Sequence, residues 1–549
     1  MIPSYYRHHY KRYVNGWLIV TLVGAAGILL PILYVMTALL RQSSENWETV
    51  RQYLLADYII GTAKLVSSVG LLATFLGVVL AWLIAAYDFP LRAFFRWALL
   101  LPLAIPPYIA AYTYQTMTSY TGVVQATLRN SFDYRLPPGL IEVMSLRGAI
   151  FVLTFFLFPY VFMITYSFLA RQSASYVENA KLLGHNGFSL FFRVVLPIAR
   201  PAIISGMMLV VFEVLSDFGV ASYFGVQTIS TAIFQTWFGL YDVDSAIRLA
   251  AWLMVIVVSL FVVERFLRRK RQYAVTTTQQ KPLSRQQLKG ARGWFAFTLC
   301  TVIFCLAFLL PFTQLLIWSS WTFDNVWRAD FFDLIQNSIR AALLATVFVL
   351  LFSLLAARTV RMLPSTLAYT VSRLMTAGYA IPGAIIAVGV LAVCIQADDW
   401  LSPLYEAAGK PADSLVLSMS LAMLIIGYVI RFMATGFNAI EAGYEKTPRS
   451  YTEASQLLGQ GSLRTFFRVE LPLIKGTILT GAVLTFVEVV KELPLTLLLR
   501  PFNHETLSTR TYQYAMDERI YEAALPSILL ILISMISVLI IYKWEKERA

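Results

Sequence analysis

Residues 16 to 40 of this 549-residue chain pass without one charged side chain, and runs of about twenty apolar residues recur along the whole length. A stretch that apolar crosses a membrane as a helix, because hydrocarbon offers its backbone N–H and C=O groups no other partner. Hydrophobic residues make up 58% of the chain and charged residues 14%, with a mean hydropathy of +0.66. No polar stretch is long enough for a soluble domain. The first run follows Arg7, Lys11 and Arg12 and exceeds the length of a signal-peptide core, so it reads as a retained span whose N-terminus is cytoplasmic.

Further spans are expected at about 60 to 86, 97 to 118, 148 to 170, 200 to 222 and 247 to 264, then 294 to 319, 337 to 357, 370 to 395, 413 to 436, 472 to 494 and 522 to 542. Twelve spans place both termini on one side. Counting each Lys or Arg near a span end with the side it adjoins, 30 fall on the cytoplasmic side, 13 on the outer side, and Lys64 deep within a span, which accounts for all 44. The positive-inside rule therefore puts both termini in the cytoplasm. Residues 265–293 hold nine Lys or Arg and no acid, and read as a solvated linker between two halves, 1–264 and 294–549. A net charge of +13 is thereby explained without a nucleic-acid partner, and membrane lipid is the partner of the spans, a lipid-headgroup site on the linker being the lesser reading.

The halves repeat. Residues 176–203, YVENAKLLGHNGFSLFFRVVLPIARPAI, and residues 451–478, YTEASQLLGQGSLRTFFRVELPLIKGTI, agree at twelve of 28 positions at an offset of 275. In each copy Ser175 or Ser450 precedes Glu178 or Glu453 at the capping-box spacing, which predicts a short helix. Gly184 and Gly459 break it. A second helix follows, with Phe188, Phe191, Phe192 and Val195 on one face beside Arg193; in the other copy Leu463, Phe466, Phe467 and Glu470 interrupt the stripe once, near Arg468. Pro197 and Pro472 close each unit. LLAT at 71–74 matches 343–346, and AIP at 104–106 matches 380–382, so Pro106 and Pro382 are expected mid-span, as kinks or gate elements. Six spans per half predict two parallel repeats related by a pseudo-two-fold axis along the membrane normal.

Acids inside spans are costly and face protein or water. Glu213 and Asp217 map at the same offset onto Glu488 and Glu492, with Lys491 placed to neutralise Glu488. They are candidates either for structural hydrogen bonding or for lining a translocation path. No phosphate loop, HExxH, CxxC or nucleophile elbow occurs, the four histidines are scattered, and Cys300, Cys305 and Cys394 lie within apolar runs. The expectation is an all-α polytopic membrane protein that is not an enzyme and needs no cofactor or metal.

The helix, glycine turn, helix and Leu-Pro pattern resembles the EAA loop of permease subunits of binding-protein-dependent ABC importers, here fused as two permeases in one chain. Asn179 departs from that motif where Ala454 follows it. The resemblance implies a bacterial inner-membrane protein working with two copies of a cytoplasmic ABC ATPase and one periplasmic solute-binding protein. It assigns ATPase coupling to Glu178, Gly184, Arg193, Pro197, Glu453, Gly459, Arg468 and Pro472. EVLSDFGVASYFG at 213–225 and KELPLTLLLRP at 491–501 are similar to ferric iron permeases, which implies ferric iron as the solute. Thiamine, polyamine and phosphonate importers share the architecture. A secondary transporter or a channel is the distant alternative: the first has no reason for two such loops, and a channel would need no ATPase.

Overall fold

The computed structural model describes residues 16–40, 45–137, 139, 142–171, 179–180, 182–185, 187–269, 285–363, 365–409, 411 and 414–548. Among the described residues eleven helices are long and apolar enough to span a membrane: Gly16–Leu40, Asn46–Ala86, Leu146–Ala170, Phe191–Ser216, Val243–Glu264, Ala291–Val326, Ala329–Met362, Gly383–Ala407, Leu421–Lys446, Ser462–Lys491 and Ile520–Ile540. A pair, Arg92–Ala104 and Pro107–Phe132, is bent by 91° and makes a twelfth where the pair is counted as one broken span. Among the described residues the only β pairing is a two-residue parallel ladder, Tyr87–Asp88 with Gln286–Gln287. It ties the end of the linker to the turn after the second span. Four spans separate these segments, so an even count puts both on one side of the membrane, as the ladder requires.

The chain packs as two compact units. One comprises Met1–Gln42, Ala246–Ala251 and Ala329–Thr509; the other comprises Ser43–Ser245, Trp252–Arg328 and Arg510–Ala549. The first span is therefore held within the unit built mainly from the second repeat. The Ala291–Val326 and Ile520–Ile540 helices belong to the unit built mainly from the first.

Within each unit the spans approach through small residues, the usual device where lipid removes a hydrophobic drive between helices. A Cβ on Gly77 would lie 2.7 Å from Val161 Cβ, and one on Gly206 2.8 Å from Val161 Cα. In the other unit a Cβ on Gly436 would lie 2.8 Å from Ser353 Oγ, and one on Gly481 3.1 Å from Ala439 Cβ. Gly77 thus corresponds to Ser353 and Val161 to Gly436, the bulk having changed sides. That sets the structural offset at 276 for the spans of Gly77 and Ser353, and at 275 for those of Val161 and Gly436. The LLAT match, at an offset of 272, is one helical turn out of register and marks composition rather than equivalent positions.

Pro106 and Pro382 are not mid-helix kinks. Each is the residue before a helix, extended at φ −55° and −51°, after a 3₁₀ turn over Leu101–Ala104 or Ala377–Ala380. The expected spans at 97 to 118 and 370 to 395 are accordingly interrupted at these points. Proline has no N–H to donate and forces the preceding residue, Ile105 or Ile381, out of the helical region. The carbonyls of Pro106 and Pro382 then start the new helices, accepting from Ile109 (2.9 Å) and Ile385 (3.0 Å).

Candidate functional site

Each unit carries one repeated loop. In the second copy a helix runs Ser450–Leu457 and ends in a Schellman motif: Gly459 N–H donates to Gln456 O (2.9 Å) and Gln460 N–H to Ser455 O (3.2 Å), with Gly459 at φ +79°. In the first copy His185 N–H donates to Ala180 O (2.9 Å) and Gly184 stands at φ +86°. Only glycine takes that left-handed backbone without steric cost.

This turn lifts two leucines out of the loop. Leu457 and Leu458 are 89% and 80% exposed, and Leu182 and Leu183 are 85% and 80% exposed. Phe467 and Phe192 are also exposed, while Phe466 is buried. The aromatic stripe is therefore split between an inward ring and an outward ring. These leucines were legible in principle, as LLG stands unchanged in both copies.

The capping box is absent from the second copy. The residue before the helix is Arg449, no side chain caps the helix, and Ser450 is already its first residue. Glu453 is exposed in the first turn, and its carboxylate has no hydrogen bond or ion pair among the described residues. Ser175 and Glu178 lie outside the described residues. Arg193 and Arg468 are exposed and likewise make no hydrogen bond or ion pair among the described residues.

Pro197 and Pro472 do not close the unit. Each sits at the second position of an α-helix that follows a π turn, Phe191–Val195 or Phe466–Glu470, and the span runs through without a break. A proline cannot donate to the carbonyl four residues back, and the π register accommodates the missing bond.

At the far ends of the same two spans stand the four acids. Glu213 and Glu488 lie in the last helical turn, nearer the helix ends than expected from sequence. A carboxylate there meets the negative end of the helix dipole. Lys491 answers this in the second copy, with Nζ 2.8 Å from Glu488 Oε1.

Asp217 and Glu492 have left the helix and cap the next one. The Asp217 carboxylate accepts from Val220 N–H (3.4 Å) and Ala221 N–H (3.1 Å); the Glu492 carboxylate accepts from Leu495 N–H (3.2 Å). Their carbonyls accept from Ser230 Oγ (2.7 Å) and Ser508 Oγ (2.8 Å). Behind each acid the repeat continues hydroxyl for hydroxyl: Thr228 N–H donates to Thr231 Oγ1 (2.9 Å) and Thr506 N–H to Thr509 Oγ1 (3.0 Å). Ile229 N–H donates to Thr62 Oγ1 (3.0 Å), and Leu507 N–H to Ser338 Oγ (2.7 Å).

Sequence reading missed Arg431. By sequence it lies near the cytoplasmic end of the expected span at 413 to 436, yet it stands ten residues into the Leu421–Lys446 span and is buried. Its Nε donates to Glu492 Oε2 (3.2 Å) and its Nη1 to Ile381 O (2.9 Å), the carbonyl freed just before Pro382. A Cβ on Gly383 would lie 2.8 Å from Glu492 Oε1, so the helix break, the arginine and the acid form one packed node. Moving one arginine out of the cytoplasmic tally leaves the charge bias intact.

Among known proteins, residues 73–271 and 349–548 each match the family described as binding-protein-dependent transport system inner membrane component. The Fe(3+)-transport system permease protein FbpB 2 of Haemophilus influenzae is 25% identical over 533 residues, 96% of this chain and 97% of that one. The probable ABC transporter permease protein y4fN of Sinorhizobium fredii is 23% identical over 515 residues, 88% and 86% of the two chains. The sulfate transport system permease protein CysW of Escherichia coli is 27% identical over 205 residues, 37% of this chain and 67% of that one.

Proposed function

Because the chain belongs to the binding-protein-dependent transport system inner membrane component family, matched once in each repeat, we propose that it is the whole membrane unit of an ATP-driven ferric iron importer. Two exposed Leu-Leu-Gly tips, each turned at a left-handed glycine, carry this reading. A pair of leucines that exposed on a loop is unfavourable in water and suits a partner's cleft. One tip per repeat fits two copies of a cytoplasmic ATPase, with Glu453 free to meet a basic group there. The loops, the linker and both termini then face the cytoplasm, and a periplasmic binding protein delivers the solute from the other side. Residues 1–264 and 294–549 act as the two permease domains and 265–293 as their linker.

Ferric iron is favoured because the relative aligned over nearly the whole of both chains bears an Fe(3+)-transport name. Carboxylates also suit a hard cation that prefers oxygen ligands. Glu213 and Glu488 are the candidates for transient contact, whereas Asp217 and Glu492 serve as caps and Pro106 and Pro382 as the hinges of broken helices. One observation favours a second reading, an oxyanion: Glu488 and Glu492 are each neutralised by a cation, Lys491 and Arg431, and sulfate permeases are among the relatives.

Uptake of radiolabelled ferric iron and of sulfate in cells that depend on this chain separates the two. Iron uptake is expected to fall in Glu213→Gln and Glu488→Gln at unchanged protein level, with sulfate uptake at background throughout. Chain-dependent sulfate uptake, with iron at background, would replace the cation by the oxyanion.

A further inference from the structure

The two loops are not held alike. Near the end of the Ala329–Met362 span, Arg358 is 1% exposed. Its guanidinium lies between two rings, 4.2 Å from the Trp17 centroid and 4.3 Å from that of Phe466. It donates to the Ser462 carbonyl (2.5 Å) and hydroxyl (3.0 Å) and stands 3.8 Å from Glu470 Oε2. Glu470 in turn accepts from Tyr444 Oη (3.2 Å) and Thr452 Oγ1 (3.3 Å). Less than one turn on, Arg361 donates to the carbonyls of Tyr444 (2.9 Å), Thr447 (3.1 Å) and Pro448 (3.1 Å).

Two arginines on one helix thus grip both limbs of the second loop, its entry at 444–448 and its exit at 462–470. Between them the Leu457–Leu458 tip stands exposed. In the first repeat the offset of 276 puts Trp82 and Ala85 at the arginine positions, and the loop offset puts Val195 at that of Glu470. Trp82 meets Phe191 at 5.8 Å between ring centroids. The interruption in the second aromatic stripe is thereby explained: Glu470 is the partner of an arginine its counterpart lacks.

We infer that the two coupling loops are mechanically unequal, and that Arg358 is a positioning residue locking the second loop to the first span through Trp17 and to the Ala329–Met362 span through its own helix. The second loop then moves only with those two spans and transmits their position to its ATPase, while the contact at the matching place in the first repeat, Trp82 with Phe191, is between two rings. A guanidinium stacked on two rings and hydrogen-bonded at its edge is fixed in orientation as no apolar side chain is. This inference rests on the reading of the loops as ATPase contacts.

The test uses the full chain with its ATPase and loaded binding protein in proteoliposomes, reading ATP hydrolysed per ion transported. Arg358→Met is expected to raise that ratio about tenfold, in the range of ordinary coupling energies. As that variant strands Glu470, the Arg358→Trp, Glu470→Val double variant gives a second measurement, since an apolar replacement of a buried pair is commonly tolerated. It is expected to accumulate normally and still hydrolyse several times more ATP per ion, on the scale of such coupling terms. Trp82→Met is expected to change the ratio less than about twofold by the same measure. Wild-type coupling in the double variant, or an equal loss in Trp82→Met, would overturn the lock. The Leu457→Ser, Leu458→Ser variant tests the premise separately: loss of the ATPase on purification supports it, and full retention overturns the loop reading itself.

Discussion

Arg431→Met is expected to remove folded protein from the membrane. The substitution leaves Glu492 buried without its counter-charge and the Ile381 carbonyl without its donor, at a point where the helix break at Pro382 supplies neither. Removing one partner of a buried ion pair costs about 3–5 kcal/mol, a large share of the roughly 5–15 kcal/mol that holds a domain together. The Arg431→Met, Glu492→Gln double variant removes both charges, and glutamine still accepts from Leu495 N–H. It is expected to recover most of the loss. Yield of monodisperse protein from solubilised membranes and the thermal unfolding midpoint measure both. A single variant as stable as the wild type would mean that the pair does not secure the break.

The second large effect is expected at Gly459. Gly459→Val meets no steric obstacle, as nothing lies within 4 Å of the added Cβ. The cost is in the backbone, which stands at φ +79°. An L-residue pays roughly 1–2 kcal/mol there, and a β-branched one more. The Schellman turn should open, and Leu457 and Leu458 should leave the position that the ATPase cleft reads. Transport is expected to fall by more than about tenfold, the equivalent of ~1.4 kcal/mol of coupling, with the permease still present. Gly461→Ala in the same loop is the control. At φ −66° and with open space around its Cβ it should be nearly silent.

The spans and the repeated loops were legible because each rests on local pattern: uninterrupted apolar runs, and a glycine between two leucines and a new helix. What escaped was set by tertiary partners. Arg431 reads as a charge near a span end until the helix is seen to continue fifteen residues beyond it to Lys446, and its partner Glu492 is 61 residues away in sequence. Glu470 looks like a flaw in an apolar stripe until Arg358 is beside it. Ser450 and Glu453 have the spacing of a capping box, but the helix starts a residue early and leaves the glutamate exposed. Pro106 and Pro382 looked like kinks because hydropathy continues across them; the missing N–H and the restricted preceding residue break the helix instead.

The most direct measurement is ferric iron accumulation in proteoliposomes holding the purified chain, its ATPase and a lumen free of iron, with iron-loaded binding protein added outside. Accumulation is predicted to require ATP, the ATPase and the binding protein together, and to disappear when Leu457 and Leu458 are both replaced by serine. Iron flux through the chain alone, without ATP or ATPase, would contradict a driven importer and make the chain a channel.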